Sequence, residues 1–167
     1  MPTEPELVFV DMVGRHYARH YAVPPMLGRV AGWLTICDPP NPTVADVAEA
    51  LQASRSAVGT AVSMLETWGS IRRTRVPGER ADRVSLNPIA TQGLESPAEY
   101  GAMAAMARHG LEVLADAPPA RKARLLELGA FAEFLLDRMP ALAAEWRERR
   151  EALRASGELP ESLRPGA

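Results

Sequence analysis

The chain contains a single cysteine, Cys37, among 167 residues, so no intrachain disulfide can brace it. No apolar run approaches the roughly 18 residues needed to span a bilayer. The N-terminus lacks the basic-then-apolar pattern of an export signal, and Asn41-Pro42-Thr43 is no glycan acceptor because proline holds the middle position. These absences lead to the expectation of a reducing cytoplasm. Lysine occurs once, at Lys122, so arginine carries nearly all the basic charge. The signatures of the common enzyme classes are missing as well. There is no phosphate-cradling glycine loop, no HExxH, no nucleophile elbow and no CxxC pair. Serine, histidine and aspartate occur without the spacing of a catalytic triad. The expectation is a non-enzyme that carries no cofactor.

What is present is a well-patterned apolar fraction, 47% of the chain, enough for one domain with a core or for a small domain with a helical arm. The most ordered stretch runs from Thr43 to Leu86, TVADVAEALQASRSAVGTAVSMLETWGSIRRTRVPGERADRVSL. Val44, Val47, Ala48 and Leu51 recur at helical spacing, with Thr43 and Asp46 forming a capping box before them. Gln52 and Ala53 make a turn, and Ser54 caps a second helix whose inward stripe is Val58, Ala61, Val62 and Leu65. A rotation of about 100° per residue places Ser56, Gly59, Thr60, Ser63 and Thr67 on the opposite side. This outer face is small, polar and uncharged, unlike the Glu and Lys of an ordinary solvated face. Gly59 weakens a helix by about 1 kcal/mol relative to alanine, which close approach to another molecule would justify. Gly69 stops the helix as a left-handed residue. Ile71 to Val76 and Arg83 to Leu86 read as strands around a turn at Pro77 and Gly78. Two short helices joined by a tight turn, followed by a hairpin, make a winged helix-turn-helix, which sets one helix in the major groove of DNA and the hairpin beside it.

Charge supports that reading. Between Ser54 and Leu86 lie six arginines (Arg55, Arg72, Arg73, Arg75, Arg80 and Arg83) and three acids (Glu66, Glu79 and Asp82), a net +3. The whole chain is −2, which leaves −5 for everything else. A positive patch on an acidic protein suits phosphate contact. The expected DNA-binding set is Ser54, Arg55, Ser56, Gly59, Thr60, Ser63, Arg73, Arg75, Arg80 and Arg83.

The flanks are helical. A first helix is expected from Thr3 to Tyr21, with Thr3 and Glu6 as a capping box and a stripe of Val10, Val13, Tyr17 and Tyr21. A second starts at Pro24-Pro25 and runs to Cys37 with Leu27, Val30, Ala31 and Leu34 inward, and DPPNP at 38–42 is a stiff connector. After the hairpin, Ser96-Pro97-Ala98-Glu99 combines an N-cap, a proline at the first helical position and a glutamate at the third. That helix is expected to end near Ala117. A longer one follows, with Leu125, Leu128, Ala132, Leu135 and Met139 on one side and Phe131 and Phe134 widening it. Pro140 is expected to kink this helix or to begin a last segment. The fold class is mainly α with a small two- to three-stranded β-wing, a winged helix-turn-helix plus a helical dimerisation arm. Its expected organisation is 24–90 for DNA binding, 1–23 and 96–156 for dimerisation, and 157–167 as a loose tail. Three apolar helices cannot all bury their stripes against so small a winged helix, so a homodimer built by helix exchange is expected.

The segment from Leu7 to Leu86 resembles the MarR-type winged helix-turn-helix transcriptional regulators, and within them the GbsR-like branch. The resemblance rests on MLGRVAGWLTICDPP, the helix-turn-helix and the wing VPGERADRV. It implies a dimeric bacterial regulator that binds a palindromic operator in double-stranded DNA, often under control of a small-molecule effector, and here a repressor. It places Ser56, Thr60 and Ser63 toward the major groove and Arg80 in the minor groove. The chain departs from the family pattern in two places. Its groove face carries no Asn, Gln or Arg for bidentate base readout, and it leaves the wing through Asn87-Pro88 rather than Leu-Thr.

Other residues admit two readings. His16, Tyr17, Met26, Trp33, Met103, Met106 and His109 either converge on an apolar ligand pocket between the DNA-binding lobe and the arm or are ordinary core and surface. His16 and His20 have metal-ligand spacing but no evident third ligand, so no metal is expected. Cys37 is either an oxidant sensor or, at the end of an apolar helix, a buried inert thiol. The rival to DNA binding is a winged-helix protein-interaction module whose hairpin docks on an acidic partner.

Overall fold

The computed structural model describes residues 2–87 and 98–160, which fall into two compact units divided between these stretches. The first unit contains α1 (Glu4–Tyr21), α2 (Pro25–Ile36), α3 (Val44–Ala50), α4 (Arg55–Thr67) and an antiparallel hairpin of β1 (Ile71–Thr74) and β2 (Arg83–Leu86). The second contains α5 (Ala98–Val113) and α6 (Pro119–Ala155).

Capping residues set the helix starts as the spacing predicts. The Glu6 carboxylate accepts from the Thr3 backbone N–H at 2.6 Å, and Thr43 and Asp46 exchange reciprocal bonds of 2.8 and 3.2 Å. α4 ends in a left-handed Gly69 at φ +69, with the Ser70 N–H reaching back to the Leu65 carbonyl at 2.8 Å. α3 ends the same way but on Gln52, at φ 51, where the left-handed conformation is strained for a residue with a Cβ.

The core of the first unit lies where α2, α3, α4 and the hairpin meet, with Leu27, Val30, Leu51, Val62, Leu65 and Val84 almost wholly excluded from water. α1 packs on α2, and glycine decides how closely. A Cβ on Gly28 would lie 2.5 Å from the Val13 carbonyl oxygen and 2.8 Å from Gly14 Cα, and one on Gly32 would lie 3.1 Å from Val13 Cβ. Backbone therefore meets backbone at this crossing. In the second unit Gly110 plays a similar part, since a Cβ there would touch Leu125 at 2.8 Å, and Ala104, Ala107 and Ala132 complete that dry seam.

The hairpin pairs Ile71 with Leu86 through Thr74 with Arg83. The wing therefore has two strands, and a third is reduced to one bridge between Thr43 and Arg83. β1 stops at Thr74 rather than Val76, because the chain turns toward the Pro77-Gly78 tip. α5 ends at Val113, four residues before the expected stop, and hydrogen-bonded turns carry the chain on to Ala117. α6 is one helix of 37 residues that runs through Pro140, so no new segment begins there. Pro140 itself is exposed. The expected Ser96-Pro97 helix start and the tail beyond residue 160 lie outside the described residues.

Candidate nucleic-acid interface

Every structural feature of α4 separates an inner face from an outer one. Val58, Ala61, Val62 and Leu65 are buried, and Ser56, Thr60, Ser63 and Thr67 are exposed. Ser54 Oγ caps the start by accepting from the Ala57 N–H at 3.1 Å, and Arg55 beside it is exposed. Ser56, Gly59, Thr60, Ser63, Met64, Thr67 and Arg73 line one open groove. Within it the Thr60 hydroxyl donates to the Ser56 carbonyl and the Thr67 hydroxyl to the Ser63 carbonyl, each at 3.0 Å. A Cβ added to Gly59 would meet nothing within 4 Å. The fold itself therefore has no need for a glycine at this position.

The hairpin brings Arg73 to the edge of that groove. Arg73 donates from Nε to Glu66 at 2.9 Å and from Nη2 to Ser63 Oγ at 3.1 Å, joining β1 to the outer face of α4. Arg75 pairs with Asp82 across the hairpin at 2.9 Å and stays largely exposed. Arg80 is exposed near the tip, and among the described residues neither it nor Arg55 has a side-chain partner. Arg83 differs from the others. Its guanidinium grips both oxygens of Glu79, at 2.8 and 2.7 Å, and donates to the Asn41 carbonyl at 2.9 Å. With Val84 N–H bonded to the Pro42 carbonyl, this fixes the root of the wing to the connector ahead of α3. The hydrogen bond and the positive charge of Arg83 hold the Glu79 carboxyl below its ordinary value of 4.5. The contact is thus fully present above that value and is lost only as the pH falls below it.

The other sequence candidates are spread over both units. Trp33 belongs to the core of the first unit, with Tyr17 and Met26 packed at its margin and His16 exposed edge-on to Tyr17. Met103, Met106 and His109 lie on α5, where Met106 and His109 are exposed. The His16 and His20 rings sit 4.4 Å apart, and among the described residues no third ligand joins them. Cys37 is half-buried, and burial pushes its thiol up to about 11, far from the reactive thiolate range.

One cluster escaped the reading of the sequence. Arg29 on α2 pairs with Asp11 on α1 at 2.8 Å and reaches the Leu51 carbonyl, at the end of α3, at 3.4 Å. It lies in a notch that only glycine at position 14 leaves open, since a Cβ there would meet Arg29 Cγ at 2.8 Å. One guanidinium thus ties α1 to the turn that launches α4. The sequence carried a signal for the close crossing in the Gly28 and Gly32 spacing, and none for Arg29.

Residues 90–149 match the model of the MmpR5-like MarR family transcriptional regulators. The chain is 36% identical over 132 residues to the HTH-type transcriptional regulator MmpR5 of Mycobacterium tuberculosis, covering 77% of this chain and 79% of that protein. It is also similar to a solved structure described as a transcriptional regulator, at 28% identity and a TM-score of 0.79, covering 86% of this chain and 99% of the other.

Proposed function

Because the chain belongs to the MarR family of transcriptional regulators, a family of DNA-binding regulators and not of enzymes, we propose that it acts as a cytoplasmic homodimeric repressor of a palindromic operator. α4 enters the major groove, and Arg55, Arg75 and Arg80 neutralise phosphates or enter the minor groove beside it. Arg73 stands where helix and wing join, and Arg83 holds the wing in position instead of reaching DNA. The observation that carries this reading is the uncharged outer face of α4 together with two arginines, Arg55 and Arg80, that have no side-chain partner among the described residues, on an otherwise acidic chain. An acidic protein partner would have no use for the small, open face around Gly59.

Exposed apolar side chains support the dimer: Val8 and Met12 on α1, and Phe131, Phe134 and Leu142 on α6. Covering them yields about 25 cal/mol per Å² of apolar surface. Two recognition helices about 34 Å apart would then read half-sites one helical turn apart. A ligand that favours one arrangement of the arm would shift that spacing. Within the family we place the chain near the GbsR-like branch, on MLGRVAGWLTICDPP and VPGERADRV. Selection of bound fragments from random duplexes tests the proposal. A recovered palindrome with one-turn spacing is the expected result; asymmetric or absent enrichment contradicts it.

A further inference from the structure

Resting on the assignment of α4 to the major groove, we propose that it reads its half-site through the 5-methyl groups of thymine, received against the face formed by Gly59, Thr60 and Met64, rather than by donating hydrogen bonds to base edges. The hydrogen-bonding state of the face is the first ground. A hydroxyl has one proton to give, and Thr60 and Thr67 already give theirs to the Ser56 and Ser63 carbonyls at 3.0 Å. With Oγ1 turned back onto the helix, the methyl is the part of each threonine left for a visitor.

The second ground is what else lines the groove. It holds no amide side chain, and its guanidinium, Arg73, is oriented by Glu66 and Ser63 on the wing side. The third ground is shape. Gly59 leaves an indentation beside Thr60 that no other described residue fills, and the thioether side chain of Met64 borders the same groove. In the major groove the thymine methyl is the apolar feature among base edges, and threonine methyls are known to contact it. A recess whose threonine hydroxyls are turned inward and whose threonine methyls face out matches that group.

The test is a uracil scan. Each thymine of a selected half-site is replaced in turn by deoxyuridine, which lacks only the methyl, and affinity is measured by fluorescence anisotropy. Loss of one buried methyl contact is expected to weaken binding about fourfold per half-site, or about fifteenfold when both halves of a palindrome are changed. Two variants assign the effect to the residue. Thr60→Val keeps the methyl and loses the hydroxyl, and should still distinguish thymine from uracil. Thr60→Ser keeps the hydroxyl and loses the methyl, and should lose the distinction. Equal affinity for thymine and uracil duplexes at every position overturns the proposal, as does discrimination retained by Thr60→Ser and lost by Thr60→Val. If Thr60, Ser63 and Gly59 variants all leave operator binding untouched, α4 is not in the groove, and the reading beneath this one fails with it. If Thr60 variants change operator binding and no uracil position does, only the methyl readout falls.

Discussion

Gly59 sits in the middle of a helix, where it weakens the helix by about 1 kcal/mol relative to alanine, yet among the described residues nothing lies within 4 Å of where its Cβ would be. Its cost to folding is therefore offset by no contact among the described residues. Gly59→Ala should raise stability by up to about 1 kcal/mol and at the same time weaken operator binding. Thermal unfolding and anisotropy titration measure the two effects separately. A stabilised variant with unchanged DNA affinity would mean that the close approach is made elsewhere on α4. Cys37 is the opposite kind of residue. Packed against the core and with its thiol pushed up to about 11, it behaves as a small apolar side chain at neutral pH. Oxidant sensing by this thiol has no support in its surroundings.

At the scale of elements, two crossings hold the first unit together. α1 reaches α2 through Gly28 and Gly32, and the wing root reaches the connector ahead of α3 through Arg83. Gly28→Ala should destabilise the protein by about 1–3 kcal/mol, because the new methyl would meet the backbone of α1 and force the helices apart. Gly101→Ala, in α5 with open space around it, should be neutral or stabilising. Denaturant melts of the pair give the comparison, and equal stability would mean that α1 does not lie where it is described. The inner and outer faces of α4 could be read from the sequence because helical periodicity alone separates Val58, Ala61, Val62 and Leu65 from Thr60 and Ser63. The capping boxes were legible for the same reason, since each involves residues three apart. The glycine crossing was not read, because a glycine inside a helix looks locally like a weakness and acquires its purpose only from the backbone of another element. Arg83 was counted with the DNA contacts on its charge alone, and its hold on the root of the wing was not read. Charge can be counted in a sequence, but the engagement of a guanidinium by Glu79 and by a carbonyl about forty residues away cannot. Pro140 was expected either to kink α6 or to begin a new segment, and the helix runs through it without a new start.

At the scale of the whole molecule, the central feature is an uneven distribution of charge. A chain of net −2 concentrates +3 between Ser54 and Leu86, the stretch that forms α4 and the hairpin, and Arg73 from that stretch lines the open groove. Arg29 adds a mechanical consequence, because α1 and the turn before α4 share its guanidinium. A displacement of α1 would thus be felt at the recognition helix. Whichever bases are read, affinity should come largely from displaced counterions. The most direct measurement is the salt dependence of binding to a random duplex, made on the wild-type protein and on Arg80→Ala. Log affinity against log salt should fall with a slope of several units for a dimer, at about 0.9 per phosphate neutralised. Arg80→Ala should weaken binding to all sequences alike and reduce that slope by about 1.8 if both protomers lose one contact. A flat salt response, or an Arg80→Ala slope equal to that of the wild type, would contradict the placement of helix and wing on DNA.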